Sequence, residues 1–190
     1  MTRWRLIGIE ARAGETIHKN LSMIRELTAP RVQSACLSTT WNRWCTPRRF
    51  KDRDSPKNLC LLGCGGLAED SIEHYARCRA VRRTSDLFLK LSGYFELDLI
   101  HFVLASEALH QDNTILTCIS ILIYSVYRST NIIRARDEGP ASEDTAREML
   151  EQNCREAMMG HVASTRILDS RWAIGLQDQS SPVVVRPRRR

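Results

Sequence analysis

Four residues within nineteen positions can do metal chemistry. Cys60, Cys64, His74 and Cys78 follow the spacing C-x3-C-x9-H-x3-C. Zinc prefers four tetrahedral ligands drawn from thiolates and imidazoles, and Cys3His is a common structural set. Two ligands bracketing a turn and two on one helix supply that geometry with little chain. His74 and Cys78 are four apart, so they share a helix face. Four protein ligands leave no position for a reacting water, so the expected role of one Zn²⁺ per chain is structural.

The elements around these residues must bring them together. Cys60 to Gly66 reads CLLGCGG, a tight turn in which Gly63, Gly65 and Gly66 accept positive φ. Backbone amides after Cys64 are expected to point at the thiolate sulfurs. A short helix is expected to start at Asp70, with Asp70 and Glu73 at capping-box spacing. Residues 45–70 contain few apolar side chains and would not fold on local burial. Metal binding can supply ~10–16 kcal/mol of apparent free energy to such a module.

The remaining cysteines carry less. Cys36, Cys118 and Cys154 lie in expected helices, where burial is the default. Cys45 lies nearest the cluster and is an alternative ligand. His18, His101, His110 and His161 lack ligand spacing. Seven cysteines in all, an odd number, and no apolar leader argue against a secreted disulfide scaffold. The expected setting is intracellular and reducing, with nucleus and cytoplasm left open. The most apolar run, Ile115 to Tyr127, is shorter than the ~20 residues of a membrane span and reads as a core helix. No membrane association is expected.

Charge is concentrated beside the cluster. The chain carries a net +6, and arginine outnumbers lysine 24 to 4. Residues 41–83 hold ten cations against five anions, a net +5. Arg43, Arg48, Arg49, Arg53, Arg79, Arg82 and Arg83 are the candidate phosphate contacts, with simple solvation as the alternative. Trp41, Trp44 and Phe50 interleave with them. Aromatic rings in such a setting can stack on unpaired bases. Trp41 and Trp44 are three apart on an expected helix, however, a spacing that favours packing into the core.

The wider pattern predicts a mostly α protein: a helical domain, a small embedded Cys3His module and a basic, disordered C-terminal tail. Residues 1–13 read as a flexible N-terminus and 14–57 as a helical segment with a basic loop. The zinc module spans 58–80, a helical bundle 81–176 and the tail 177–190. Ile17, Leu21, Ile24 and Leu27 recur at helical spacing over 14–27. Pro30 marks a boundary, and a second helix is expected from Arg31 to about Trp44. Helices are also expected over 82–91, 95–109, from Asp112 or Asn113 to about Arg136, and 142–161. Gly139-Pro140 separates the last two.

TTWNRWCTPRRF followed by CLLGCGGLAEDSIEHYARC resembles the zinc-binding region beyond the polymerase domain of non-LTR retrotransposon reverse transcriptases. The later IYSVYRSTN is similar to the helix that follows in such tails. The resemblance covers residues 35–136. It implies an accessory role in holding template RNA or target DNA near a polymerase, with Cys60, Cys64, His74 and Cys78 as zinc ligands and Arg48 and Arg49 in the preceding basic element; RNA or single-stranded DNA is the expected partner. A reverse transcriptase domain becomes an implied partner. The chain lacks a Tyr-x-Asp-Asp type motif, an endonuclease constellation, a nucleophile–base pair and a phosphate loop. It is therefore expected to be non-catalytic. The competing expectation is a zinc-stapled protein-interaction module whose helices 113–136 and 142–161 pack on another chain or self-associate.

Overall fold

A computed structural model describes residues 13–46, 59–65, 68–92, 96–136, 139–166 and 169. The expected flexible N-terminus, most of the basic loop and the C-terminal tail lie outside the described residues. Within them the chain is mostly helical, as its periodicity predicts. The described residues contain no strand, only one isolated antiparallel bridge between Leu59 and Glu69.

Helix α1, Ala13–Leu27, buries Ile17, Asn20 and Ile24 on one face. Thr28 closes it by bonding back to the carbonyl of Ile24 at 3.0 Å. Helix α2, Pro30–Thr40, begins on the proline, where the missing amide proton costs nothing. It ends four residues before Trp44. Asn42 takes a left-handed conformation with φ of 52°. The Asn42 amide then reaches Thr39 at 2.9 Å and the Arg43 amide reaches Ser38 at 2.7 Å, a paired closure of the last carbonyls.

Between the metal-ligand segment and the long helices lie short pieces. Helix α3 is Ile72–Tyr75. Helix α4, Arg79–Arg83, runs directly into a π-helical turn over Thr84–Phe88. Helix α5 is Leu99–Phe102, and a 3-10 turn covers Glu107–Gln111. The single helix expected over 95–109 is therefore broken. Leu104 sits at φ 61°, and the Ala105 amide folds back onto Ile100 at 2.8 Å. Asn20 on α1 holds this turn, donating to the carbonyls of Leu104 at 2.9 Å and Ser106 at 3.1 Å. A distant buried amide thus overrides a local helical pattern.

Helix α6, Asn113–Arg136, is the axis of the fold. Asp112 caps it, accepting from the amides of Thr114 at 2.7 Å and Ile115 at 3.1 Å. It packs along α7, Glu143–Met159, and across α2. By length and composition α6 could cross a bilayer, but most of that stretch is buried inside the chain. Its small polar residues stitch it to its neighbours. Ser125 donates to the Leu150 carbonyl at 2.6 Å, and Asn153 donates to Ser129 at 2.8 Å. The Cys36 thiol lies 3.8 Å from the Ser120 carbonyl. One apolar core joins α1, α2, the metal-ligand segment, α6 and α7.

Candidate metal centre

Cys60 and Cys64 leave the turn that follows the Leu59–Glu69 bridge. The Cys60 amide donates to the Ala68 carbonyl at 2.8 Å, pinning the turn's base. Gly63 and Gly65 adopt φ of 59° and 74°, as the turn requires. Gly66 lies outside the described residues. Gly63 has a second reason to lack a side chain. A Cβ there would overlap the Ala141 carbonyl oxygen and approach the Glu143 amide nitrogen to 2.9 Å. The turn is also tied to that loop by the Ala141 amide, which donates to the Leu61 carbonyl at 3.0 Å.

His74 rides on α3, and Cys78 stands at the junction between α3 and α4. The N-cap of α3 is Ser71 rather than Asp70: its hydroxyl accepts from the His74 amide at 3.2 Å. Asp70 is buried instead. It accepts from the Tyr75 hydroxyl at 2.6 Å and takes a bidentate ion pair from Arg134 of α6, with Nη2 2.7 Å from Oδ1 and Nε 3.2 Å from Oδ2. This links the ligand helix to the central helix. Trp44 closes the other side, with its ring centroid 5.7 Å from that of Tyr75, 6.2 Å from Phe102 and 5.4 Å from Tyr127. Its indole nitrogen donates to Thr39 at 2.9 Å.

Cys60, Cys64, His74 and Cys78 offer four ligand atoms that all lie within 4.8 Å of one another. Cys60 Sγ is 3.7 Å from Cys78 Sγ, and Cys64 Sγ is 3.5 Å from His74 Nε2. Tetrahedral bonds of about 2.3 Å to sulfur and 2.0–2.1 Å to nitrogen place two sulfurs about 3.8 Å apart, and a sulfur and a nitrogen about 3.6 Å apart. Both pairs therefore match the edges of a zinc tetrahedron. The four residues can hold a metal ion.

The electrostatics fit a cation. The Cys78 thiol is pulled down to about 4, first by a hydrogen bond with Cys60, then by His74 and the Val81 amide, against the opposing effect of burial. Cys60 is pushed up by its bond to Cys78 and by burial. The backbone amides that reach these sulfurs are those of Leu62 and Val81. Of the expected donors after Cys64, the Gly66 amide lies outside the described residues. The Leu62 amide belongs to the turn between the cysteines and the Val81 amide to the first turn of α4.

Cys45 is exposed, and the cluster assembles from four other residues. The expected phosphate contacts divide. Arg48, Arg49 and Arg53 lie outside the described residues. Arg79 and Arg83 both pair with Glu143, the latter at 3.5 Å, and Arg82 pairs with Glu96 at 2.8 Å. Arg43 is exposed and has no ion pair among the described residues. The two tryptophans also divide, against their expected joint burial: Trp44 is fully buried, whereas Trp41 is 58% exposed.

The buried Asp70–Arg134 pair is the feature that sequence reasoning missed. Its signal was a carboxylate before a short helix, read there as a cap.

The fold and site define a helical protein carrying a Cys3His cluster able to bind a metal ion. No protein-family model, curated protein or solved structure matches the chain.

Proposed function

We propose that the chain is a non-catalytic, zinc-stabilised module that binds RNA or single-stranded DNA, similar in role to the accessory tail of a retrotransposon reverse transcriptase. The observation that carries the metal part is the match of the Cys60–Cys78 and Cys64–His74 distances to a zinc tetrahedron. All four positions are filled by protein, which supports a structural ion. The nucleic-acid part rests on the net +5 over residues 41–83, a segment that includes the cluster. The intrachain pairs of Arg79, Arg82 and Arg83 are partly exposed. Such surface pairs are weak enough to be exchanged for phosphates.

The test is binding of labelled RNA and single-stranded DNA across a salt series, with zinc-loaded and zinc-stripped protein side by side. Log affinity is expected to fall linearly with log salt, with a slope of about −0.7 per phosphate neutralised. Binding absent at the lowest salt would overturn the nucleic-acid reading and leave a metal-stapled protein-interaction module. That second reading has its own support in Leu87, Met159 and Val162, which remain exposed on the surface. The apolar face of α6 offers it less, because that face is covered within the chain.

A further inference from the structure

Trp41 is a large apolar side chain held in water at a rigid place. It caps the C-terminus of α2, its amide bonds to Leu37 at 3.0 Å, and the next two amides close the helix on Thr39 and Ser38. The backbone at 41–43 is therefore fixed before any partner arrives. Leu37, one turn earlier on the same helix face, is 42% exposed and extends the apolar surface. Trp44, three residues further on, fills the core, so Trp41 is not needed there. Arg43 stands exposed two residues away, and residues 41–58 hold six cations against two anions.

An exposed indole on a fixed backbone, two residues from an exposed guanidinium and in a stretch of net positive sequence, matches one partner chemistry best: an unpaired base joined to phosphates. A protein partner could cover Leu37 and Trp41, but the net positive charge of the 41–58 sequence favours a polyanion. The geometry points to Trp41 as a base-stacking platform for single-stranded nucleic acid, with Arg43 holding an adjacent phosphate. This deepens the proposed function and rests on it. A backbone already held limits the ordering cost of stacking to the side chain's own torsions.

The test compares an oligothymidylate with an abasic strand of equal length and phosphate count, using the full zinc-loaded chain and fluorescence anisotropy. Trp41→Ala is expected to weaken oligothymidylate binding about tenfold, within the range of aromatic–base stacking, and to leave abasic binding unchanged. Trp41→Phe should restore most of the loss. Arg43→Ala should weaken both strands alike and flatten the salt slope by about one phosphate. Wild-type binding to neither strand overturns the stacking role, and absence of RNA binding as well overturns the underlying function. Binding to both strands with no base-selective loss in Trp41→Ala overturns the stacking role alone. Sedimentation that shows a wild-type dimer abolished by Trp41→Ala, without base selectivity, assigns the surface to a second copy and also overturns it.

Discussion

The metal ligands divide their work by what surrounds them. Cys60 and Cys78 are buried, each with an amide aimed at its sulfur, whereas Cys64 and His74 are part-buried. Purified wild-type protein is expected to hold one zinc per chain by elemental analysis, and both His74→Ala and Cys78→Ala are expected to lose it. Full zinc occupancy in both variants would sink the site. Gly63 carries a different constraint. Gly63→Ala forces a side chain into positive φ and against the Ala141 carbonyl. Its expected cost is more than 1 kcal/mol in urea unfolding, where Gly65→Ala, with open space around its Cβ position, should cost less. Asp70 is the third residue whose role is fixed by contacts. Asp70→Ala strands Arg134 and the Tyr75 hydroxyl, and about 3–5 kcal/mol of stability should be lost. Replacing Asp70 and Arg134 together with apolar residues should recover much of that loss.

At the scale of elements, α3 spans only four residues and cannot persist alone. It is held by the Ser71 cap, by the Asp70–Arg134 pair, by Tyr75 against Trp44 and by the metal ligands at its end. The turn at 59–65 buries Leu61 and Leu62 in the core but has only one isolated bridge as regular structure. Metal removal should therefore act locally first. Chelation is expected to raise amide hydrogen exchange in 59–78 while amides at the centre of α6 stay protected, because the α2–α6–α7 packing does not include the ion. Uniform loss of protection across α6 would show instead that the ion holds the whole fold. The same scale explains the broken 95–109 segment: two buried bonds from Asn20 outweigh the propensity of a short amphipathic stretch.

The whole molecule is a bundle around α6, and its buried thiols report on it. Burial pushes Cys36 and Cys154 up to about 12, from an ordinary value near 9. The folded chain thus keeps two protons that the unfolded chain releases in alkali. Their contribution to stability is complete below about pH 9 and is lost as pH rises toward 12. Urea midpoints should accordingly fall on raising the pH above 9, with a smaller decline in Cys36→Ala measured against its own neutral-pH value. A thiol reagent near neutral pH should modify exposed Cys45 quickly and leave Cys36, Cys118 and Cys154 unreacted until the bundle opens.

Local patterning along the chain accounts for the near-neighbour features. Apolar spacing predicts α1, a continuous apolar run behind Asp112 predicts α6, helix propensity with acidic residues near the start predicts α7, Pro30 and Gly139-Pro140 mark boundaries, and the C-x3-C-x9-H-x3-C pattern predicts the four residues that converge. Those features depend on near neighbours, so a linear reading reaches them. Tertiary structure decided what depends on distant contacts. Trp41 and Trp44 have the same residue type and share the same local pattern, yet only Trp44 meets Tyr75, Phe102 and Tyr127. Asp70 reads as a helix cap until Arg134, sixty-four residues away, arrives beside it. The arginines of 77–83 look free in sequence and meet carboxylates supplied by Glu96, Asp98 and Glu143. Burial and charge pairing are properties of the assembled bundle. They are set by which elements pack together, and residue spacing along the chain does not encode that choice locally.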